Sequence, residues 1–237
     1  MFEPLYNAYV HMPWVGFVSA IVLFAVVMRK LPYFYGLMAL LILFTFLDGL
    51  RAGEWLRLGG KGHAIYEPFT YLFILFGDLR YFLLMYRYGK HHDLAEDRAS
   101  PAKTWLAILG WTLAPTILLF LGGQIIPDAF AVPRHIFLVY ELIMFCAAIV
   151  FLNLLLPSWF RGEKYADTHT WLRRVTFVEL AHYGLWALSD VLILSGYDLG
   201  YALRFVPDTI YYTFFIVAVY VWAPERLKIP NFKVSRG

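Results

Sequence analysis

Apolar runs of about 20 residues recur along almost the whole chain, separated by short groups of polar, Gly and Pro residues. A helix of about 20 apolar residues is long enough to cross the hydrocarbon core of a bilayer. Only 16% of the 237 residues are charged and 61% are hydrophobic, whereas about a quarter of the residues of soluble proteins are charged. The sequence therefore predicts an all-α polytopic membrane protein, a seven-transmembrane-helix bundle forming a single integral membrane domain over residues 1–237. The predicted spans are about 13–27, 33–50, 67–86, 104–121, 135–156, 172–194 and 203–222.

The loops between these spans predict the orientation and the partners of the bundle. Most of the 20 Lys and Arg residues fall at one set of helix ends, and positive side chains are retained on the cytoplasmic face. This places the N-terminus outside and the C-terminus in the cytoplasm, and the compact loops lead us to expect a bacterial inner membrane. The basic residues form no continuous patch, so the lipid bilayer is the expected partner and nucleic acid is not.

Ionisable residues inside the spans are expected to mark a functional site. A charged group within the hydrocarbon costs at least about 2.5 kcal/mol, so it needs a partner, water or a function. Helical periodicity puts acidic and aromatic side chains on shared faces of the third, sixth and seventh spans, while Arg80 points to the opposite side of the third. We expect an outward-facing polar cavity with a mid-membrane centre. Its predicted ligand- or proton-binding residues are Asp78, Glu179, His182, Asp190, Asp208, Glu141, Asp48, Glu67, Tyr211 and Trp186.

The outer members of this set also admit a purely structural interpretation. Asp208 lies one helical turn from Arg204, and Asp48 lies within a turn of Arg51, so each could form a local ion pair. For these outer groups both interpretations stay open. For Asp78, Glu179 and His182 the functional interpretation is favoured, because ionisable groups in mid-membrane are usually functional.

Metal and cofactor chemistry is not predicted. Glu179 and His182 have the i, i+3 spacing of carboxylate-bridged di-iron sites, but such sites need a second copy of the pair. The single cysteine, Cys146, lies in an apolar stretch and is expected to be a small core residue. We therefore expect no metal site and no cofactor.

Transport is the leading functional hypothesis. The protein would bind and move a small cationic or amphiphilic solute, with Asp78 and Glu179 as charge or proton carriers and His182 as a relay. One alternative is a membrane-embedded enzyme that acts on a lipid, with Glu179 and His182 as acid and base. Another is an accessory or sensory subunit whose apolar faces bind a membrane-protein partner or a second copy of the chain.

Overall fold

The helical architecture was analysed in a computed structural model that describes residues 1–9, 33–52, 66–90, 101–130, 132–160 and 165–228. These residues form helices and short connections, and no strand occurs among them. The helices are α1 Phe2–Tyr9, α2 Tyr33–Ala52, α3 Tyr66–Met85, α4 Pro101–Ile125, α5 Pro133–Val150, α6 Leu156–Trp159, α7 Ala166–Leu194, α8 Leu199–Thr209, α9 Phe215–Trp222 and α10 Glu225–Lys228.

Short helical turns of other types link several of these elements. The π-helical turn Tyr86–Lys90 extends α3, Phe151–Leu155 joins α5 to α6, and Ile210–Phe214 joins α8 to α9. A 3₁₀ turn, Pro127–Phe130, lies between α4 and α5. Two α-helices joined by a π turn therefore run as one long helix, both at residues 133–159 and at residues 199–222.

Four helical stretches are long and apolar enough to cross a membrane: Ala102–Ile125, Arg134–Trp159, Ala166–Leu194 and Leu199–Trp222. At 1.5 Å per residue they measure about 36–44 Å, against about 30 Å for the hydrocarbon core. The protein is therefore an integral membrane protein whose apolar helices contact the bilayer. A shorter apolar stretch, Gly36–Leu47, lies in α2.

Six of the seven predicted spans overlap described helices. The first predicted span, 13–27, lies outside the described residues. The count of seven spans and the orientation of the bundle stay predictions.

Aromatic rings make up much of the core. The buried Phe151 ring packs against the rings of Phe82 and Trp111, with centroids 5.6 and 5.1 Å apart. Trp159 also packs on Phe151, and its ring approaches the backbone of Gly89 so closely that a Cβ there would lie 2.8 Å from it. The core therefore ties α4, α5, α6 and the end of α3 together.

A tight turn brings α8 back against α7. Gly196 has φ +83°, a left-handed conformation that glycine adopts readily, and the N–H of Tyr197 donates to the carbonyl of Leu192 at 2.9 Å. This turn ends α7 and places the first residues of α8 beside the last turns of α7. The polar residues near the ends of both helices can therefore meet.

One packing prediction was wrong. Cys146, expected in the core, is exposed on α5. The residues that follow it, Ala147 and Ala148, are buried, so the buried side of α5 at this level is lined by small residues and the thiol lies on the other side.

Candidate functional site

Four charged residues from three helices meet where α5, α7 and α8 come together. The Asp190 carboxylate on α7 is fully buried, and its Oδ1 accepts a hydrogen bond from Arg134 of α5 at 2.9 Å and a shorter one from Arg204 of α8. The Arg204 guanidinium also lies 3.9 Å from Oε1 of Glu141. We call Arg134, Glu141, Asp190 and Arg204 the Asp190 cluster.

The Asp190 cluster is balanced in charge, with two guanidinium groups and two carboxylates. The pairing differs from the local one that the sequence offered: Arg204 pairs with Asp190, 14 residues away, rather than with Asp208 at i+4. The turn at Gly196 explains this, because it folds α8 onto α7. Glu141 and Asp190 each keep one oxygen, Oε2 and Oδ2, without a hydrogen-bond partner in the described part of the chain.

Helix α1 packs against this end of the bundle through Tyr6. The Tyr6 hydroxyl accepts a hydrogen bond from Arg204 Nε at 3.1 Å and donates to Asp208 Oδ2 at 3.2 Å. Burial raises the pKa of the Tyr6 phenol far above its usual value, so the group stays protonated and remains a donor. Trp186 donates to the other oxygen of Asp208 at 2.8 Å.

The first turn of α1 is held by α8 and the turn before it. The Asp198 carboxylate accepts hydrogen bonds from the amino group of Met1 and from the backbone N–H groups of Phe2 and Glu3, at 2.6, 2.6 and 3.0 Å. These donors lower the pKa of Asp198. Tyr201 also donates to Glu3 Oε1 at 3.0 Å. Sequence reasoning gave α1 no role, because nothing in residues 2–9 links them to residues some 200 positions away.

A second polar group lies deeper in the bundle, and we call it the His182 centre. His182 on α7 is buried, and its Nδ1 lies 3.1 Å from the carbonyl oxygen of Pro207. A carbonyl only accepts, so this contact assigns the hydrogen to Nδ1 and leaves a lone pair on Nε2. Nε2 is buried and has no hydrogen-bond partner among the described residues. The centre consists of Asp78, Arg80, Glu179, His182, Tyr183 and Tyr211.

Glu179 lies one helical turn from His182 on α7. The residue is only 4% exposed, and within the described ranges its carboxylate makes neither a hydrogen bond nor an ion pair. Arg80 acts electrostatically on both Glu179 and His182. Asp78, by contrast, accepts a short hydrogen bond from the hydroxyl of Tyr183. Of the two mid-span carboxylates, Glu179 is therefore the one without a donor.

Arg80, which the sequence predicts on the side of α3 away from Asp78, is enclosed by protein as well. It is 1% exposed and donates to Thr45 Oγ1 at 2.7 Å and to the Tyr211 carbonyl at 2.9 Å. Its guanidinium also lies 3.9 Å from the centroid of the Tyr211 ring and 4.7 Å from that of Phe215. Every residue from Gly77 to Tyr86 is buried, so α3 is enclosed on all sides there and opposite faces both point into protein.

Aromatic rings connect the two groups of polar residues. The His182 ring lies 4.3 Å from that of Trp186 and stacks on that of Tyr211 at 4.9 Å and 24°. Trp186 in turn donates to Asp208, beside the Asp190 cluster. The structure thus brings six of the ten predicted site residues into the two groups, and two more, Asp208 and Trp186, lie between them. The side chains of Asp48 and Glu67 lie outside the described residues.

No family model matches the sequence, and comparison with curated proteins and with solved structures finds no similar chain. Within the described ranges, no three His, Cys, Asp or Glu residues come together as metal ligands.

Proposed function

We propose that this protein binds and translocates a small cationic or amphiphilic solute across a bacterial inner membrane, in exchange for protons that bind at Glu179 and His182. The observation that carries the proposal is the pair of partnerless groups on α7. The Glu179 carboxylate and the His182 Nε2 lone pair are both acceptors, they belong to residues that are 4% and 1% exposed, and neither has a donor in the described part of the chain.

Charge counting supports cation binding at the His182 centre. With Asp78 and Glu179 ionised, Arg80 protonated and His182 neutral, the centre carries one net negative charge. Unpaired charge in a low-dielectric interior is costly, so a cation that reaches the centre is strongly favoured. One proton or one monovalent solute would neutralise it. Competition between the two for the same charge would couple solute movement to proton movement.

The path to the centre would run from the end of the bundle that α1 covers. The order of contacts is Tyr6, Asp208, Trp186 and then His182. Tyr6 closes this path while it bridges Arg204 and Asp208, so the described state corresponds to a closed one. Opening would require the Tyr6 hydrogen bonds to break and α1 to move away.

Cation uptake into proteoliposomes tests the proposal. Vesicles that contain pyranine, a pH indicator, would receive a pH gradient together with tetraphenylphosphonium or ethidium as the cationic probe. The unmodified protein should exchange protons for at least one probe. Glu179→Gln keeps the shape of the side chain but removes its charge, so it should reduce exchange to the rate of protein-free vesicles.

A matched control separates this effect from the loss of any carboxylate. Glu225 lies on α10, is 78% exposed and among the described residues pairs with Lys228 one turn away, so Glu225→Gln should leave exchange unchanged. Exchange that survives Glu179→Gln would contradict the proposal. Lipid turnover lost in His182→Ala would instead favour an enzyme, and a stoichiometric co-purifying protein would favour a subunit role.

A further inference from the structure

A cavity of about 750 Å³ lies between α4, the 3₁₀ turn Pro127–Phe130 and the first turns of α5. Its volume falls within the range of about 300–1,000 Å³ that is typical of small-molecule sites. Its walls are largely aromatic and aliphatic, and include Phe120, Phe130 and Phe137. No member of the Asp190 cluster or of the His182 centre lines it, so it is separate from the site proposed for transport.

The polar residues in the lining are all uncharged: Thr116, Gln124 and Tyr140. Tyr140 is 8% exposed, and its hydroxyl is buried with no hydrogen-bond partner among the described residues. Buried hydroxyl groups almost always have such a partner, because leaving one unsatisfied is costly. The Tyr140 hydroxyl therefore calls for a partner that the described protein groups do not supply.

Thr116 also has a hydroxyl group without a partner in the described part of the chain. Thr45, Thr112 and Thr209 each donate to the carbonyl one turn earlier, at 3.0, 2.8 and 2.7 Å, a common arrangement for a threonine inside a helix. Thr116, like Thr170 and Thr213, makes no hydrogen bond within the described ranges. The cavity thus combines an apolar wall with two hydroxyl groups that have no partner among the described residues.

We infer that this cavity binds a neutral single-chain lipid, with its hydrocarbon chain against the phenylalanine rings and its polar group within reach of Tyr140 and Thr116. A chain of hydrocarbon fits because the cavity lies where two apolar spans, α4 and α5, meet at their connected ends, next to the bilayer that those spans cross. A neutral headgroup fits because an anionic or cationic one would meet no opposite charge in the lining. The bilayer is the source of the occupant.

Native mass spectrometry of the detergent-purified, full-length protein tests this site with two probes that have the same hydrocarbon chain. Oleyl alcohol carries a neutral hydroxyl, and oleyl phosphate carries an anionic group. The unmodified protein should bind one molecule of oleyl alcohol, and at least tenfold more tightly than it binds oleyl phosphate. Protein taken directly from membranes should carry one neutral lipid, which the added alcohol displaces.

Two glycines on α4 provide a matched pair of variants. Gly123 lines the cavity, and a Cβ added there meets no atom within 4 Å, so Gly123→Leu should fill the cavity without displacing protein. Gly110 has the same free space but does not line the cavity. Gly123→Leu should weaken binding of oleyl alcohol at least tenfold, whereas Gly110→Leu should leave it unchanged.

Tyr140→Phe provides a test that does not depend on adding bulk. It removes only the hydroxyl, so the fold should be retained and affinity for oleyl alcohol should fall by about fivefold, the usual effect of one hydrogen bond. Three results would each overturn the inference: equal affinity in the Gly123→Leu and Gly110→Leu proteins, tighter binding of oleyl phosphate, or several equivalent bound lipids without a preferred one. The last would indicate annular lipid only.

Discussion

Replacing Arg204 with methionine should strongly destabilise the bundle. The change removes the guanidinium from Asp190 while it keeps an unbranched apolar chain about as long as the aliphatic part of arginine. Asp190 is fully buried, so the loss leaves its carboxylate with Arg134 as its remaining cationic partner. Breaking a buried ion pair by deleting one partner typically costs about 3–5 kcal/mol.

The geometry places the expected cost at the lower end of that range. Arg134 keeps its hydrogen bond to Asp190 at 2.9 Å and so retains part of the compensation. Its side chain is 27% exposed, however, and water screens its charge more than that of Arg204, which is 10% exposed. We therefore expect a loss of about 3 kcal/mol. For a chain of this size, 1 kcal/mol shifts the melting temperature by about 2–4 °C, so the shift should be about 6–12 °C.

An ion pair of the same type on the surface is the control. Arg226 donates to both carboxylate oxygens of Asp167, at 3.0 and 2.9 Å, but the two side chains are 45% and 50% exposed. Such a pair contributes only about 0.2–1 kcal/mol, so Arg226→Met should lower the melting temperature by about 4 °C at most.

Thermal unfolding in one detergent, followed by circular dichroism, compares the two variants directly. Equal shifts for Arg204→Met and Arg226→Met would refute the reasoning, because they would mean that burial does not distinguish the two pairs.

Two further outcomes follow from local geometry. Gly89→Ala should lower the melting temperature, since overpacking the buried Gly89 against the partly buried Trp159 ring costs about 1–3 kcal/mol. Gly36→Ala, whose Cβ meets open space, should raise it through a better helix propensity of up to about 1 kcal/mol. A destabilising Gly36→Ala would contradict this. The lowered pKa of Asp198 means that its hold on α1 is present above the usual carboxyl pKa of about 4 and is lost as the pH falls through the lowered value. The distribution of distances between spin labels on α1 and α8 should therefore broaden in acid. Asp198→Asn should produce the same broadening at neutral pH.

The approximate positions of six helices could be predicted from the sequence because runs of apolar residues mark the segments that cross a membrane. The predicted span 203–222 ends at the same residue as the helical stretch Leu199–Trp222. The predicted span 172–194 likewise ends at the same residue as Ala166–Leu194. The largest differences lie where polar residues continue a helix: α7 begins at Ala166, six residues before the predicted start, with Asp167 in its first turn. The helix at residues 133–159 also continues through Pro157, where the preceding π turn changes the hydrogen-bond pattern.

The sequence predicted which polar residues lie close together better than it predicted which of them form ion pairs. Mid-span position singled out Asp78, Glu179 and His182, because a charged group near the middle of a span is costly and has to be enclosed by protein or water. Helical periodicity could not show that Arg80 is also enclosed, since a direction on a helix says nothing about how many sides are covered. Nor could it predict that Arg204 pairs with Asp190, because that contact depends on the turn at Gly196.

The difference in charge between the two groups decides which of them we propose to carry function. In the Asp190 cluster two arginines face two carboxylates, so a further cation would gain little and would have to displace Arg134 or Arg204. In the His182 centre one arginine faces two carboxylates, and its guanidinium is directed to Thr45 and Tyr211 instead. On this balance of charge we propose that the His182 centre accepts the cation, whereas the Asp190 cluster holds α5, α7 and α8 together.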